Sequence, residues 1–234
     1  MADIKINGVT PSGFYYGGTA ASAVYYGATK LWEAAPAGAV IGGKTYPTVT
    51  MPDGHEWLAV NLDYAWSNLT ICTSTVSASS TVAYAAYYNC DEATYGWNGL
   101  KYGLLYNWKA ANYLNSNKST LCPGWHVPSA QELQALKTAV ESDGKDAYSL
   151  RGNDGWASGS GTNDYGFTMP PSGLWDNSNS AFSGLTYDSL IWAYDQSSSS
   201  IGNRLYVHHD SSTIYKDTKN KRAYLSIRLV KDST

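Results

Sequence analysis

Leu121-Cys122-Pro123-Gly124-Trp125-His126-Val127-Pro128-Ser129 packs a Pro-Gly turn, a Trp-His pair and a helix-start serine into one short stretch. Pro123 and Gly124 cannot continue a helix, so Cys122 and His126 flank a turn. Ser129 is followed three residues later by Glu132, the spacing at which a serine cap and a returning carboxylate satisfy the first turn of a helix. Leu133, Leu136 and Val140 then recur on one face and predict a helix with a buried stripe. A second helix is predicted from about Leu104 to Leu114, where Leu104, Trp108 and Ala111 share a face.

On the N-terminal side, Gly43-Lys44-Thr45-Tyr46-Pro47-Thr48-Val49-Thr50 reads as a strand. The turn Pro52-Asp53-Gly54-His55 follows, and Glu56-Trp57-Leu58-Ala59-Val60-Asn61-Leu62 alternates as its hairpin partner. Residues 66 to 90, rich in Ser, Thr and Ala, read as a long surface excursion. From Ser142 to Ser200 the chain is dominated by Gly, Ser, Asn and Asp. Trp156, Phe167, Trp175, Phe182 and Trp192 are spaced through it, so these loops are expected to be ordered. The runs Asn203–His208 and Ala223–Val230 read as strands paired with each other, which places the C-terminus inside a sheet.

The order and spacing of these pieces resemble the Fibrobacter succinogenes major paralogous domain family. The resemblance rests on Tyr102-Gly103-Leu104-Leu105-Tyr106-Asn107-Trp108, the Cys122–Ser129 motif, Asp164-Tyr165-Gly166-Phe167, Pro171-Ser172-Gly173 and Ser226-Ile227-Arg228-Leu229-Val230-Lys231-Asp232. Trp57, Asn61 and Leu62 fit its W-x-x-x-N-L signature. It covers roughly residues 38 to 232 and implies an α+β, C-type-lectin-like fold with two helices, a small antiparallel sheet and long ordered loops. In that family a cysteine often follows the arginine of the last strand and pairs with the one in the Cys-Pro motif. Here Leu229 stands there, so Cys122 lacks that partner. With three cysteines, Cys72, Cys90 and Cys122, either one disulfide with a spare thiol or three reduced thiols remain open. Synthesis in the cytoplasm favours reduced thiols.

Residues 1–34 read as a separate β-rich extension for docking or oligomerisation, 35–39 as a linker and 40–234 as the lectin-like domain. Tyr15-Tyr16-Gly17 recurs as Tyr25-Tyr26-Gly27, short runs between glycine turns that suggest a meander. This repeat looks like segments of phage tail and fibre proteins, and a homotrimer built through it would fit a fibre tip. Met1–Ile6 lacks the basic start and apolar core of a secretory signal, which predicts cytoplasmic synthesis without a signal peptide.

The net charge of −3, with no long basic run, argues against a nucleic-acid partner. No apolar stretch approaches the ~20 residues needed to span a bilayer. Twenty tyrosines and nine tryptophans against three phenylalanines favour packing and contact surfaces that keep a polar tip.

No catalytic constellation is legible. Cys122 and His126 are not joined by further zinc-ligand spacing. His208 and His209 are adjacent, so in a strand they point to opposite faces and would not share a metal ion. Carboxylates are scattered through loops, with no hydrolytic pair, and the cysteine pair of the lectin-fold formylglycine-generating enzymes cannot be placed. Asp164, Asp176, Asp188 and Asp195 could offer oxygens to calcium, but no loop has regular ligand spacing. The expectation is therefore no cofactor, with calcium the alternative.

Some members of the resembled family are rewritten by diversity-generating retroelements, which mutate adenines in the 3′ end of the gene. By that resemblance the variable, ligand-binding region is expected at about 175–216. Its candidates are Asp176, Asn177, Ser178, Thr186, Tyr187, Asp188, Ser189, Ala193, Tyr194, Asp195, Tyr206, His208, His209, Asp210, Ser211 and Ser212. Ser197 to Ser200 could extend the set, and Gly184, Trp192 and Arg204 fall at framework positions. The expected function is non-catalytic: a phage or prophage tail-tip adhesin, carried on the virion, that recognises a bacterial surface protein or glycan. The alternatives are a bacterial surface adhesin of fixed specificity and, behind it, a lectin-fold enzyme.

Overall fold

The computed structural model describes residues 38–233 in full and, ahead of them, the backbone of four short strands. These are β1 (Tyr15–Tyr16), β2 (Thr19–Ala20), β3 (Ala23–Tyr26) and β4 (Thr29–Glu33). β1 pairs with β2 and β3 with β4, both antiparallel. The chain divides into two units, Met1–Ala37 and Gly38–Thr234. Both Tyr-Tyr pairs of the repeat are strand residues. The glycines that follow them, and most of the 35–39 linker, lie outside the described residues.

In the second unit β5 (Ala39–Ile41) and β6 (Lys44–Tyr46) form a hairpin. Pro47 has no N–H to give a ladder, and it divides the strand expected over 43–50 into β6 and β7 (Thr48–Thr50). β7 pairs with β8 (Glu56–Leu58) through the expected turn, where Gly54 takes a left-handed φ of +83° and Asp53 Oδ1 accepts from His55 N at 3.0 Å. Residues 66–90 are more than an excursion. They contain β9 (Thr70–Ile71) and β10 (Tyr84–Ala86), and Trp66, Leu69 and Cys72 are buried. The helix predicted from Leu104 starts later, because Leu105–Asn107 is strand β11. Asn107 caps the following helix α2 (Trp108–Ser116) by accepting from Ala110 N at 3.0 Å. A continuous apolar run before a cap is as compatible with a buried strand as with a helix.

The Ser129 cap forms as expected. Its side chain accepts from Glu132 N at 3.1 Å while Glu132 Oε2 accepts from Ser129 N at 2.7 Å. Helix α4 (Ala130–Ser142) buries Leu133, Leu136 and Val140 completely. Three one-turn helices complete the set: α1 (Glu92–Tyr95), α3 (Lys118–Leu121) and α5 (Ala147–Leu150). The architecture is mixed α+β, with five helices and several sheets among the described residues, more of both than the sequence suggested.

The Gly- and Ser-rich middle contributes three strands that composition hides: β13 (Ser172–Asp176), β14 (Ala181–Leu185) and β15 (Asp188–Gln196). β15 joins β16 (Ile201–His208) and β17 (Tyr215–Asn220) in an antiparallel sheet of order β15-β16-β17. The closing runs do not pair with each other. β18 (Tyr224–Leu225) sits between β13 and β11 in the sheet β14-β13-β18-β11-β10-β9. β19 (Val230–Lys231) lies between β8 and β12 (Trp125–His126), so the C-terminal strand is interior to its sheet. β16 pairs instead with β15 and with β17, whose Lys216-Asp217-Thr218-Lys219 is too polar to read as a strand but suits an exposed edge.

Signature residues close the core through polar bonds. Arg228 is fully buried, and its Nε and Nη2 each donate to Asn61 Oδ1 at 3.1 Å. Its Nη1 donates to Phe167 O, Nη2 to Thr168 O at 2.9 Å, and the guanidinium lies 4.3 Å from the Phe167 ring centroid. Asn61 in turn donates to Tyr102 O and Ser226 Oγ, each at 3.0 Å. Burial pulls the Arg228 pKa down to about 9, which still leaves it charged at neutral pH. Among the described residues no carboxylate meets it; carbonyl dipoles and a ring face compensate the charge.

The Trp-His motif ties three chain segments together. His126 Nδ1 lies 2.7 Å from Asp232 Oδ1 and Nε2 lies 2.8 Å from Glu132 Oε1, while Lys118 donates to Asp232 at 2.6 Å. Burial opposes the imidazolium, but the bonds to Glu132 and Asp232 outweigh it and raise the His126 pKa above 6.5. Burial likewise opposes the Glu132 carboxylate, yet His126 and Ser129 hold it at about 2.

Two predictions follow from these networks. Arg228→Leu should lower unfolding free energy by about 3 kcal/mol or more in urea titration, because Asn61 and two buried carbonyls lose charged donors. The His126 cluster makes stability pH-dependent. A raised histidine contributes fully below its ordinary 6.5 and fades as pH rises through the folded value. A lowered carboxylate contributes above its ordinary 4.5 and fades as pH falls. The cluster is thus strongest between those two values, and His126→Asn should flatten the alkaline decline in a series of urea melts.

Candidate functional site

The outer face of the β15-β16-β17 sheet and its margin collect half of the expected ligand-binding residues. Alternation decides which side chains reach it. Ile191, Ala193, Leu205, Val207 and Ile214 point inward and pack with Leu133, Leu136 and Val140 of α4. Leu190 and Trp192 face the opposite core, where Trp192 Nε1 donates to Tyr106 O at 2.8 Å. Beyond them the same face of β16 and β17 carries Arg204, Tyr206 and His208 beside Tyr215 and Asp217.

These side chains brace one another. Tyr206 and Tyr215 are directly paired across the strands and stack at 4.5 Å, 11° from parallel. Arg204 lies 4.5 Å above the Tyr206 ring and binds both oxygens of Asp217, at 2.7 and 3.2 Å. Such a bidentate pair on a rigid ladder fixes rotamers that would otherwise be free. Asp188 Oδ1 lies 2.7 Å from His208 Nδ1. Tyr187, about half exposed, packs its ring edge-on to His209 at 4.7 Å. Ser211 Oγ lies 3.1 Å from Tyr215 Oη. At the other end Lys219 donates to Asp176 at 2.7 Å and joins the tip of the β13-β14 hairpin to the edge strand. Asn177 and Ser178 belong to that tip, where Asp176 Oδ1 accepts from Ser178 N at 3.0 Å.

The expected set therefore divides. Tyr187, Asp188, Tyr206, His208, His209, Asp210 and Ser211 form one patch, with Ser212 exposed beside it, and Asp176, Asn177 and Ser178 form the hairpin tip. Ser189 and Ala193 are not presented at all: both are fully buried, because this stretch of β15 is covered on both faces and its odd positions meet the α4 core. Tyr194 and Asp195 stand apart from the patch. Asp195 Oδ1 accepts from Ala130 N at 2.8 Å at the start of α4, and Tyr194 lines a pocket of about 470 Å³ with His126, Lys118 and Glu132. Ser197–Ser200 form the exposed β15-β16 turn. Arg204, expected as framework, reaches the face, and Tyr215, Asp217 and Lys219 were missed. Their signal was the register of the β16-β17 hairpin, hidden by the polarity of β17.

Two backbone positions set the shape of the patch. Gly184 has φ +69°, and a Cβ there would lie 2.4 Å from Asp188 Oδ2. Only glycine lets Asp188 stand where it meets His208. Thr186 has φ +67°, a conformation that a β-branched residue adopts at a cost.

The adjacent histidines do not diverge as expected. β16 ends at His208, and Arg151 donates from Nη1 to both His208 O (3.0 Å) and His209 O (2.6 Å), turning the chain there. The two rings consequently lie 4.5 Å apart. The four aspartates considered for calcium each have separate protein partners: Lys145 for Asp164, Lys219 for Asp176, His208 for Asp188 and Ala130 N for Asp195. The three cysteines are free. The Cys122 thiol donates to Trp125 O at 3.3 Å, and burial pushes its pKa up to about 12, the reverse of what a nucleophile needs. Among the described residues no helix is long and apolar enough to cross a membrane.

A mixed α+β domain that braces a polar, aromatic face on one sheet is the class this geometry defines. The family model of the Fibrobacter succinogenes major domain matches residues 53–231, and the chain belongs to that family. No curated protein and no solved structure matches it.

Replacing Thr186 by glycine should raise stability by about 0.5–1 kcal/mol in denaturant titration, since the left-handed strain is relieved in excess of the added chain entropy.

Proposed function

We propose that this protein is a non-catalytic receptor-binding protein of C-type-lectin-like fold whose recognition face is the outer side of the β15-β16-β17 sheet. One observation carries the reading: Arg204, Tyr206, Tyr215, His208 and Tyr187 form a continuous outward face whose rotamers are fixed by stacking and ion pairs before any ligand arrives. Rigid aromatic anchors with adaptable polar neighbours bind at low entropic cost. The buried alternate positions hold the sheet, so outward residues can change without loss of the core. That separation suits a surface rewritten by a diversity-generating retroelement.

The carrier is a phage or prophage tail tip, and the ligand a protein or glycan on a bacterial surface. Presentation as a homotrimer through residues 1–34 would add avidity to individually weak sites. Sequencing the 3′ third of the gene across a natural population tests the diversification. Substitutions should fall at adenine-containing codons for Tyr187, Tyr206, His208, His209 and Asp210 and spare Leu190, Trp192, Leu205 and Val207. Changes spread evenly over both sets would defeat it. For recognition itself, Tyr206→Ala with Tyr215→Ala should reduce binding to receptor-bearing cells about tenfold or more, at a temperature where circular dichroism shows the double variant still folded. Unaltered binding would move the recognition face elsewhere.

A further inference from the structure

The end of β16 holds an arrangement that recognition by side-chain contact does not require. Among the described residues, His208, His209 and Asp210 are the one group of three or more histidine, cysteine or acidic side chains close enough to hold a metal ion, with one ligand atom from each within 4.8 Å of the others. His208 Nε2 lies 3.4 Å from Asp210 Oδ1, and His209 Nε2 lies 3.9 Å from Asp210 Oδ2. Ligand atoms about 2.0–2.2 Å from a tetrahedral zinc ion stand roughly 3.3–3.5 Å apart. The first separation matches; the second, to the other oxygen of the same carboxylate, is longer, and a bound ion would draw the His209 ring inward.

The other nitrogen of each ring is held in place. His208 Nδ1 faces the Asp188 carboxylate at 2.7 Å, and the tautomer that donates there would offer the Nε2 lone pair to a metal. His209 Nδ1 lies 2.6 Å from Ser158 Oγ. A carboxylate behind a ligating histidine is the usual outer support of a metal site: it fixes the ring, selects the tautomer and strengthens the ligand. The backbone is prepared as well, because Arg151 holds both histidine carbonyls and keeps the rings on the same side of the chain. Gly184 leaves the room that Asp188 occupies.

We infer that His208, His209 and Asp210 form a binding site for a borderline divalent transition metal, zinc in particular. Asp188 and Ser158 act as positioning residues. Two imidazoles and one carboxylate favour zinc, nickel or copper over calcium and magnesium, which select all-oxygen sites. Three protein ligands leave the fourth position open. Asp210 is exposed and both rings are partly so, which turns that position toward solvent on the same face as Tyr187 and Tyr206. A carboxylate, hydroxyl or imidazole of a bound partner could complete the shell. Metal binding itself does not depend on the receptor-binding reading, and either can fail alone.

The test uses the full chain with any affinity tag removed. Zinc content after equilibrium dialysis should approach one ion per chain, and cobalt(II) in its place should give the intense visible absorption of a tetrahedral N/O site. His208→Gln and His209→Gln should each abolish the cobalt spectrum, with circular dichroism confirming the fold. Asp188→Asn, which keeps both ligands, should weaken zinc about 10- to 100-fold. Should a histidine variant fail to fold, the imidazole NMR signals of His208 and His209 in the unaltered protein must still shift on titration with zinc. No bound metal, zinc retained unchanged in the His208→Gln/His209→Gln double variant, or imidazole signals that stay in place would each overturn the site.

Discussion

A buried guanidinium without a carboxylate is the constraint around which the domain is arranged. Arg228 can remain in the core only if its charge is met by dipoles, and Asn61, Phe167 and Thr168 supply them from two distant parts of the chain. Asn61 is itself held by Tyr102 and Ser226, and Ser226 Oγ lies 3.1 Å from Ser172 Oγ. One cation therefore fixes the positions of the segment after β8, the loop before β13 and the approach to the last strand. An apolar side chain of similar volume could fill the space, but it would not dictate which carbonyls must turn inward.

The C-terminal strand inherits its position from this network. β19 is interior to its sheet, and Asp232 just beyond it binds His126 and Lys118. The cap of α4 and the end of the chain consequently share one charged cluster. α4 then supplies the surface on which the inner face of β15 and β16 packs. The outer face is carried on two supports of different kinds, an apolar core beneath and a polar network at the margin. Leu190, Trp192 and Tyr206 tie that face to the core, and the side chains beyond them are the ones that can be specialised for recognition or for holding a metal.

Much of this was legible in the sequence because local chemistry determines it. The Ser129–Glu132 cap, the stripe of α4 and the Pro52–His55 turn each depend on residues a few positions apart, and each formed as read. The signature residues Asn61, Ser226 and Arg228 were recognisable as a pattern, though not as a hydrogen-bonded unit. Strands were read least well. Leu105–Asn107 looked helical because every residue is buried and no alternation survives. β17 offered no strand signal because Lys216-Asp217-Thr218-Lys219 is polar on both faces. Ser189 and Ala193 were expected on the surface by family resemblance, whereas their place in β15 turned them toward the α4 core.

The histidine pair shows where the limit lies. Sequence by itself determined that His208 and His209 are adjacent, that Asp210 follows, and that an extended chain would separate the rings. Tertiary structure alone decided that the strand stops at His208. That decision comes from Arg151, a residue far upstream whose guanidinium captures both carbonyls and turns the chain. Asp188 and Ser158 likewise meet the two rings across 20 and 51 residues of chain. Caps and turns are set by neighbours in the chain, so their residues announce them. A converged set of ligands is set by long-range hydrogen bonds, and its members carry no mark until the fold has brought them together.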